Sequence, residues 1–461
     1  MKRRLVLGAC TALLAGCRIP VQPPPQPTLV VPAAWRAKVG PGAPVERDWW
    51  RAFGDPALDR LVARALERNN DVRTAQARLR EYRARIQVAR SAQEPTLSAG
   101  FSPARARAIG PFGTPIDATA MQGSFQAAYE LDPFGRLANA TEAARQDYAA
   151  QQAASDATAL SVAANAASGY LNLRGLDAQL ALARATLASR QRSLDLARRQ
   201  FEVGYSSRLE LAQAEAEYRA TAAVVPQLER AITQQENALD ILAGANPGPV
   251  ERGADLAGLD APAIRPGLPS DLLRRRPDVA SAERAVAAAD ASLAAARDQM
   301  LPSLRLTASL GAYAHDLPTL LSSPTALWSV GGSVLAPLFD AGRLRAQADI
   351  SASLRDRAVF AYEAAVRNAF ADTENALSAV QRLREQLDEA EARRVATKEV
   401  LRIAHNRYRN GYSSYLEELD AQRNAFSAET GALQLRAAWL QAHVDLYRAL
   451  GGGWAPLESV K

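Results

Sequence analysis

Gly204-Tyr205-Ser206-Ser207 returns as Gly411-Tyr412-Ser413-Ser414, an offset of 207 residues. The same offset carries Asp71-Val72 onto Asp278-Val279, Pro95 and Leu97 onto Pro302 and Leu304, and Pro111 onto Pro318. It also carries Gly135-Arg136-Leu137 onto Gly342-Arg343-Leu344, and Gly244 onto Gly451. In so alanine-rich a chain, bare identities say little. Glycine and proline say more, because each answers to a backbone constraint, and these keep one register without an insertion. The chain therefore reads as two structural copies, 59–246 and 268–453, joined by a proline-rich linker over 247–267.

Each copy reads as helix, strand, strand, very long helix, helix. Strong helix formers fill the runs 136–203 and 343–410, and neither run contains proline. At 1.5 Å per residue each would extend about 100 Å. Further helices are expected over 208–243 and 414–450. Leu433, Ala437, Leu440, Val444 and Tyr447 step by four and three, the spacing of a coiled-coil seam. Leu180, Ala183, Leu187, Leu194, Ala197 and Phe201 do likewise, with Arg190 interrupting. Gly169 and Gly175 fall inside the first long run, where a bend or a change of packing partner is expected. An ordinary helical bundle shares the seam, although bundles rarely need rods of this length.

Strands are expected over about 96–104, 119–132, 303–313 and 326–338, with loops over about 104–118 and 313–325. Leu304, Leu306, Ala308 and Leu310 would share one face, and Arg305, Thr307 and Ser309 the other. Phe125, Ala127, Tyr129 and Leu131 alternate in the same way with Ser124, Gln126 and Glu130. Alternation of this kind suits a transmembrane barrel, and equally a small soluble sheet packed on helices. Four strands cannot close a barrel, since small ones have about eight. Open edges in lipid would leave backbone groups unpaired, so strands in a membrane require a barrel shared between chains.

The chain has 461 residues, 48% of them hydrophobic and 23% charged, which is too apolar for a disordered protein. A net charge of +6 is too small for a dedicated nucleic-acid binder. Two cysteines and three scattered histidines supply neither a disulfide framework nor a zinc site. No phosphate loop, His-Glu-x-x-His or Cys-x-x-Cys is present, and no enzyme activity and no cofactor are expected.

Met1-Lys2-Arg3-Arg4 opens an apolar run that ends at Leu14-Ala15-Gly16-Cys17, a secretory signal over 1–17. Small residues before a cysteine resemble the lipobox of bacterial lipoproteins, which implies cleavage before Cys17 and acylation of it. An ordinary signal that happens to contain cysteine would begin in the same way. Loss of Lys2, Arg3 and Arg4 halves the +6 charge. Arg18 in place of aspartate favours the outer over the inner membrane, on the pattern of that family. Residues 18–58 then read as a proline-rich tether leading into an equatorial segment.

Arg276-Pro277-Asp278-Val279, Asp340-Ala341-Gly342-Arg343 and Arg407-Tyr408-Arg409-Asn410-Gly411-Tyr412 form a distinctive set with Leu416-Glu417-Glu418-Leu419-Asp420-Ala421-Gln422-Arg423. Leu446-Tyr447-Arg448-Ala449-Leu450-Gly451-Gly452-Gly453-Trp454 completes it. Over nearly the whole mature chain, this set resembles the outer-membrane efflux proteins of the TolC/OprM type, in their lipoprotein, NodT-like branch. The resemblance implies an α+β membrane protein: a homotrimer whose 12-stranded barrel continues into a helical coiled-coil barrel through the periplasm. It also implies an equatorial collar from segments near 45–60, 245–270 and 451–461, the last including the tail 454–461. Its partners would be a periplasmic adaptor (membrane fusion) protein, an inner-membrane efflux transporter of the RND type, and outer-membrane lipid.

By the same resemblance the adaptor docks at the helix-to-helix turns, here Gly204, Tyr205 and Ser206, and Gly411, Tyr412 and Ser413. A plain turn and cap without a partner would use the same residues. Leu416 and Asp420 match the constriction of the closed end, with Tyr408 and Arg423 nearby. Glu210 stands where the family can carry a gate carboxylate, facing either lumen or solvent. The expected function is a passive exit duct for small-molecule efflux. A type I secretion duct, or a lipid-anchored periplasmic scaffold without a pore, are the alternatives.

Overall fold

A computed structural model of the protein describes residues 23–25, 28–37, 45–109, 111–261 and 263–454. The signal segment, Cys17, Arg18 and the tail beyond 454 lie outside the described residues. In chain order the elements are α1 (Pro56–Arg68), α2 (Asn70–Ser91), β1 (Thr96–Ile109), β2 (Pro115–Leu131), α3 (Arg136–Glu202) and α4 (Arg208–Leu242). There follow α5 (Pro269–Arg275), α6 (Pro277–Asp298), β3 (Ser303–Ala314), α7 (Leu317–Ser322), β4 (Thr325–Leu335), α8 (Arg343–Arg409) and α9 (Tyr415–Ala449). They fall into two compact units, each drawing on both sequence copies. One takes 78–151 and 281–363 with the segment up to 28, and the other takes 29–77, 152–280 and 364–461.

The first unit holds an antiparallel sheet in the order β1-β2-β3-β4. Register places Phe125 opposite Leu310, and Leu310 opposite Trp328, on one exposed apolar face. The other face carries Gln126, Ser309 and Ser329, the two serine hydroxyls 2.8 Å apart. The first hairpin is longer than the alternation suggested. The expected loop over 104–118 is mostly strand, because small residues and the Arg107–Asp117 cross-strand pair extend the ladder to Ile109 and Pro115. Pro103 is tolerated because β1 is an edge strand. The second loop contains a short helix, α7, where Asp316 accepts from the Thr319 amide at 2.8 Å. β4 stops at Leu335 and not at 338, since Pro337 cannot donate to a ladder and restrains Ala336. Asp132 and Asp340 cap the starts of α3 and α8, accepting from the amides of Ala138 (2.8 Å) and Leu344 (2.9 Å).

The second unit has the larger core, in which Leu58 and Leu61 of α1, Tyr170 and Leu171 of α3, Leu239 of α4 and Leu440 of α9 are fully buried. Trp49 stacks on Tyr447 with ring centroids 5.0 Å apart. Asp55 is buried among them. One of its oxygens caps α1 through the Ala57 amide (2.8 Å), and the other accepts from the Tyr170 hydroxyl (2.7 Å) and the Ala254 amide (3.1 Å). That network ties α1 to α3 and the inter-copy linker, and the one helix expected at the start of the first copy is two, α1 and α2, parted at Asn69. Hydrogen bonding runs unbroken through Gly169 and Gly175, so no helix break occurs there. A Cβ on Gly169 would lie 2.8 Å from Leu239 Cδ2 of α4, and one on Gly175 would lie 2.9 Å from Ala437 Cβ of α9. The glycines permit close approach to two successive partners.

Candidate functional site

α3 and α8 each end in the same turn. Gly204 (φ +78°) and Gly411 (φ +76°) adopt the left-handed conformation that terminates a helix. The Tyr205 amide donates to Gln200 O (2.7 Å), and that of Tyr412 to Arg407 O (2.9 Å), closing the last turn alike in both copies. Ser207 then caps α4 by accepting from the Glu210 amide at 3.3 Å. Both tyrosines point away from the protein, Tyr205 being 89% exposed and Tyr412 78%. Ser206 donates to Ala197 O at 3.5 Å, whereas the buried Ser413 hydroxyl has no partner.

Just past the second turn, packing sorts the side chains of α9. Tyr415 and Leu419 are buried against Leu194 and Ala197 of α3 and Ala214 of α4, with Tyr408 beside them. This turns Leu416 and Asp420, four residues apart, onto one exposed helix face. Tyr408 lies off that face. Its hydroxyl donates to Gln200 Oε1 (3.0 Å) and its ring sits 5.5 Å from that of Tyr415. Burial first, and then the charges of Glu210 and Glu418, push the Tyr408 phenol up to about 12. Glu210 is partly buried, near enough to the second copy's tyrosine for its charge to act on that phenol.

Arg423 leads to residues the sequence reading did not single out. Its Nε donates to Glu217 Oε2 at 2.8 Å, and the other oxygen of Glu217 is bonded by Arg190. The side chains of Arg190 and Glu217 are 5% and 10% exposed, so two arginines from α3 and α9 converge on one nearly buried carboxylate of α4. Burial pulls the Arg190 guanidinium down to about 10, and the Arg423 charge acts in the same direction. The interruption of the heptad seam at Arg190 was the visible signal of this triad. Nearby, His405 Nδ1 lies 2.8 Å from Glu418 Oε1, which also accepts from Gln422 (3.0 Å). Among the described residues no cluster of three or more histidine, cysteine or acidic side chains could hold a metal ion. No helix among them is long and apolar enough to cross a membrane.

A duplicated chain with a four-stranded sheet and two 67-residue helices is the architecture of a TolC-like outer-membrane channel. The chain belongs to the outer membrane efflux protein family, whose model it matches over residues 61–245 and 268–452. It is 34% identical to the probable efflux pump outer membrane protein TtgC of Pseudomonas putida, over 98% of this chain and 96% of that protein. With the pyoverdine export outer membrane protein OpmQ of the same species it shares 33% identity over 98% of each. Among solved structures, the MtrE outer membrane channel of Neisseria gonorrhoeae, captured open, superposes with a TM-score of 0.84 at 32% identity. That match covers 94% of this chain and 98% of MtrE. The protein is accordingly an outer-membrane one.

Proposed function

We propose that three copies of this chain form the outer-membrane exit duct of a tripartite efflux system, conducting small molecules passively from an inner-membrane pump. The observation that carries this reading is the sheet. Among the described residues it has four strands, its outermost strands β1 and β4 each keep one unpaired edge, and one face is an exposed apolar surface. Lipid tolerates neither the open edges nor a half-closed barrel, and pairing β1 of one chain with β4 of the next satisfies both. The acylated N-terminus at Cys17 would add a lipid anchor, since several acyl chains hold a protein stably at a bilayer. No catalytic step and no cofactor are needed.

In this reading Leu416 and Asp420, repeated around a threefold axis, narrow and charge the periplasmic end. Tyr408, Arg423 and Glu210 hold the surrounding helices in place. The exposed turns at Gly204, Tyr205 and Ser206 and at Gly411, Tyr412 and Ser413 dock the adaptor of an RND-type pump. An adaptor that binds the opened tips more tightly would open them, because a ligand shifts an equilibrium only by its differential affinity. Cysteines placed singly along β1 and β4 test the shared barrel. Oxidation should yield covalent trimers from β1–β4 pairs, and purely intramolecular products would refute it.

A further inference from the structure

β1 carries charge where a lipid-facing strand should not. Its odd-numbered positions Leu97, Ala99 and Phe101 share the apolar face with Phe125 of β2, Leu97 being 74% exposed. Arg105 and Arg107 continue the same alternation, and so stand on the same face. The register sets Arg105 opposite Thr119 and Arg107 opposite Asp117, whose Oδ1 lies 3.7 Å from Arg107 Nε. Arg105 is exposed and has no ion pair among the described residues. At the same end of the second hairpin this face carries only Ala312, Ala314 and Ala326. With Arg107 shared with Asp117 and Arg105 unpaired among the described residues, this end of the face carries two guanidinium forks and a net positive charge.

Their height along the strand matters. An apolar band of about 25 Å, crossed by strands tilted about 40°, takes up roughly ten residues of each strand. Counted from Leu97, it ends at the level of Arg105 and Arg107. That end is the hairpin end, opposite the strand ends that join α2 and α3, and thus the extracellular side if the sheet spans the outer membrane as proposed above. A guanidinium held at the border between apolar chains and water meets the layer of lipid headgroups, and its fork of donors matches phosphate oxygens.

We infer that Arg105 and Arg107 form a binding site for the phosphate-bearing headgroups of outer-leaflet lipid, one site on each protomer of the barrel. The inference rests on the barrel reading, and the test separates the two. The full-length trimer in detergent is titrated with bis-phosphorylated lipid A and with the same lipid after dephosphorylation, and binding is read by native mass spectrometry. Since a basic residue near an anionic surface contributes about fivefold, Arg105→Gln with Arg107→Gln should weaken the phosphorylated lipid on the order of 10- to 25-fold. The pair Arg105→Lys with Arg107→Lys should keep most of the binding, and Arg305→Gln on the polar face should change nothing.

Equal binding of the phosphorylated lipid by wild type and the double glutamine variant would overturn the inference. So would equal binding of both lipid forms by wild type, or displacement of the lipid by inorganic phosphate at matching concentration. Single-channel recording on the same preparations tells the failures apart. Pores with unchanged lipid binding sink only the headgroup site, whereas absence of pores in wild type sinks the barrel reading itself.

Discussion

After the turn through Gly204 and Tyr205, α4 begins with Leu209 and Gln213 in the positions that Leu416 and Asp420 hold after the turn through Gly411 and Tyr412. The backbone of the two turns is the same, down to the φ of the glycine and the amide that closes it. Side-chain chemistry is not. Arg190, Glu217 and Arg423 correspond to Thr397, Asn424 and Ala216, so no member of the triad has a charged counterpart in the other copy. His405 and Glu418 correspond to Arg198 and Leu211. Duplication preserved what sterics demand of a tight helix-to-helix turn. The charges that lock one copy against the other lie off the repeat.

The comparison breaks most visibly at Glu217. Glu217→Ala should strand Arg190 as an unpaired, nearly buried cation, a change that costs about 3–5 kcal/mol where a buried pair loses one partner. Asn424→Ala, its exposed counterpart, should stay within about 0.5 kcal/mol. Chemical denaturation, with hydrogen exchange resolved to the helix tips, measures both, and equal effects would show the triad to be inert. Replacing Arg190 and Glu217 together by methionine and leucine should cost less than Glu217→Ala alone.

Next in size are the glycines. Nothing lies within 4 Å of a Cβ built on Gly204 or Gly411, so alanine there meets only the strain of a positive φ. Each substitution should cost about 1–2 kcal/mol, and the two should cost the same. Unequal losses in thermal unfolding would mean that the turns are not physically equivalent.

The smallest effect should come from Tyr408→Phe, which removes one half-buried hydrogen bond to Gln200 and should cost about 0.5–1.5 kcal/mol. Because the folded phenol is raised from 10 to about 12, its contribution is complete below pH 10 and fades as pH climbs from 10 through 12. Tyr415 is raised to about 12 for the same reason, chiefly burial, so Tyr408→Phe should blunt that alkaline loosening without abolishing it. Hydrogen exchange at the tips between pH 9 and 11 reads the difference from wild type.

Much of this was legible because backbone constraints mark a sequence strongly. The repeat of Gly244 as Gly451 has such a cause, since a Cβ on either would strike the carbonyl of Arg68 or of Arg275. Long-helix bounds follow from glycine turns and absent prolines, and they agree with the observed ends to about a residue. The single helix expected to open the first copy is two, because Asn69 leaves the helical region (ψ 135°) and its side chain caps α2 by accepting from the amides of Asp71 and Val72. The far half of the first hairpin was hidden by Arg105 and Arg107, whose charge reads as loop until the cross-strand register is known. The triad joins residues 206 apart in sequence, and only packing between the copies brings Glu217 to Arg423. That Leu416 and Asp420 share a helix face could be expected from their spacing, but the exposure of that face is fixed by the burial of Tyr415 and Leu419.

Reconstitution of the purified protein into planar bilayers addresses the central claim most directly. Discrete conductance steps with a preference for cations are expected, because three copies of Asp420 would ring the narrow end. Asp420→Asn should keep the steps and lose most of that preference, while Gln213→Asn, at the matching position of the first copy, should leave selectivity as in wild type. A protein that inserts as a trimer yet passes no current, before and after Asp420 is neutralised, would contradict the duct.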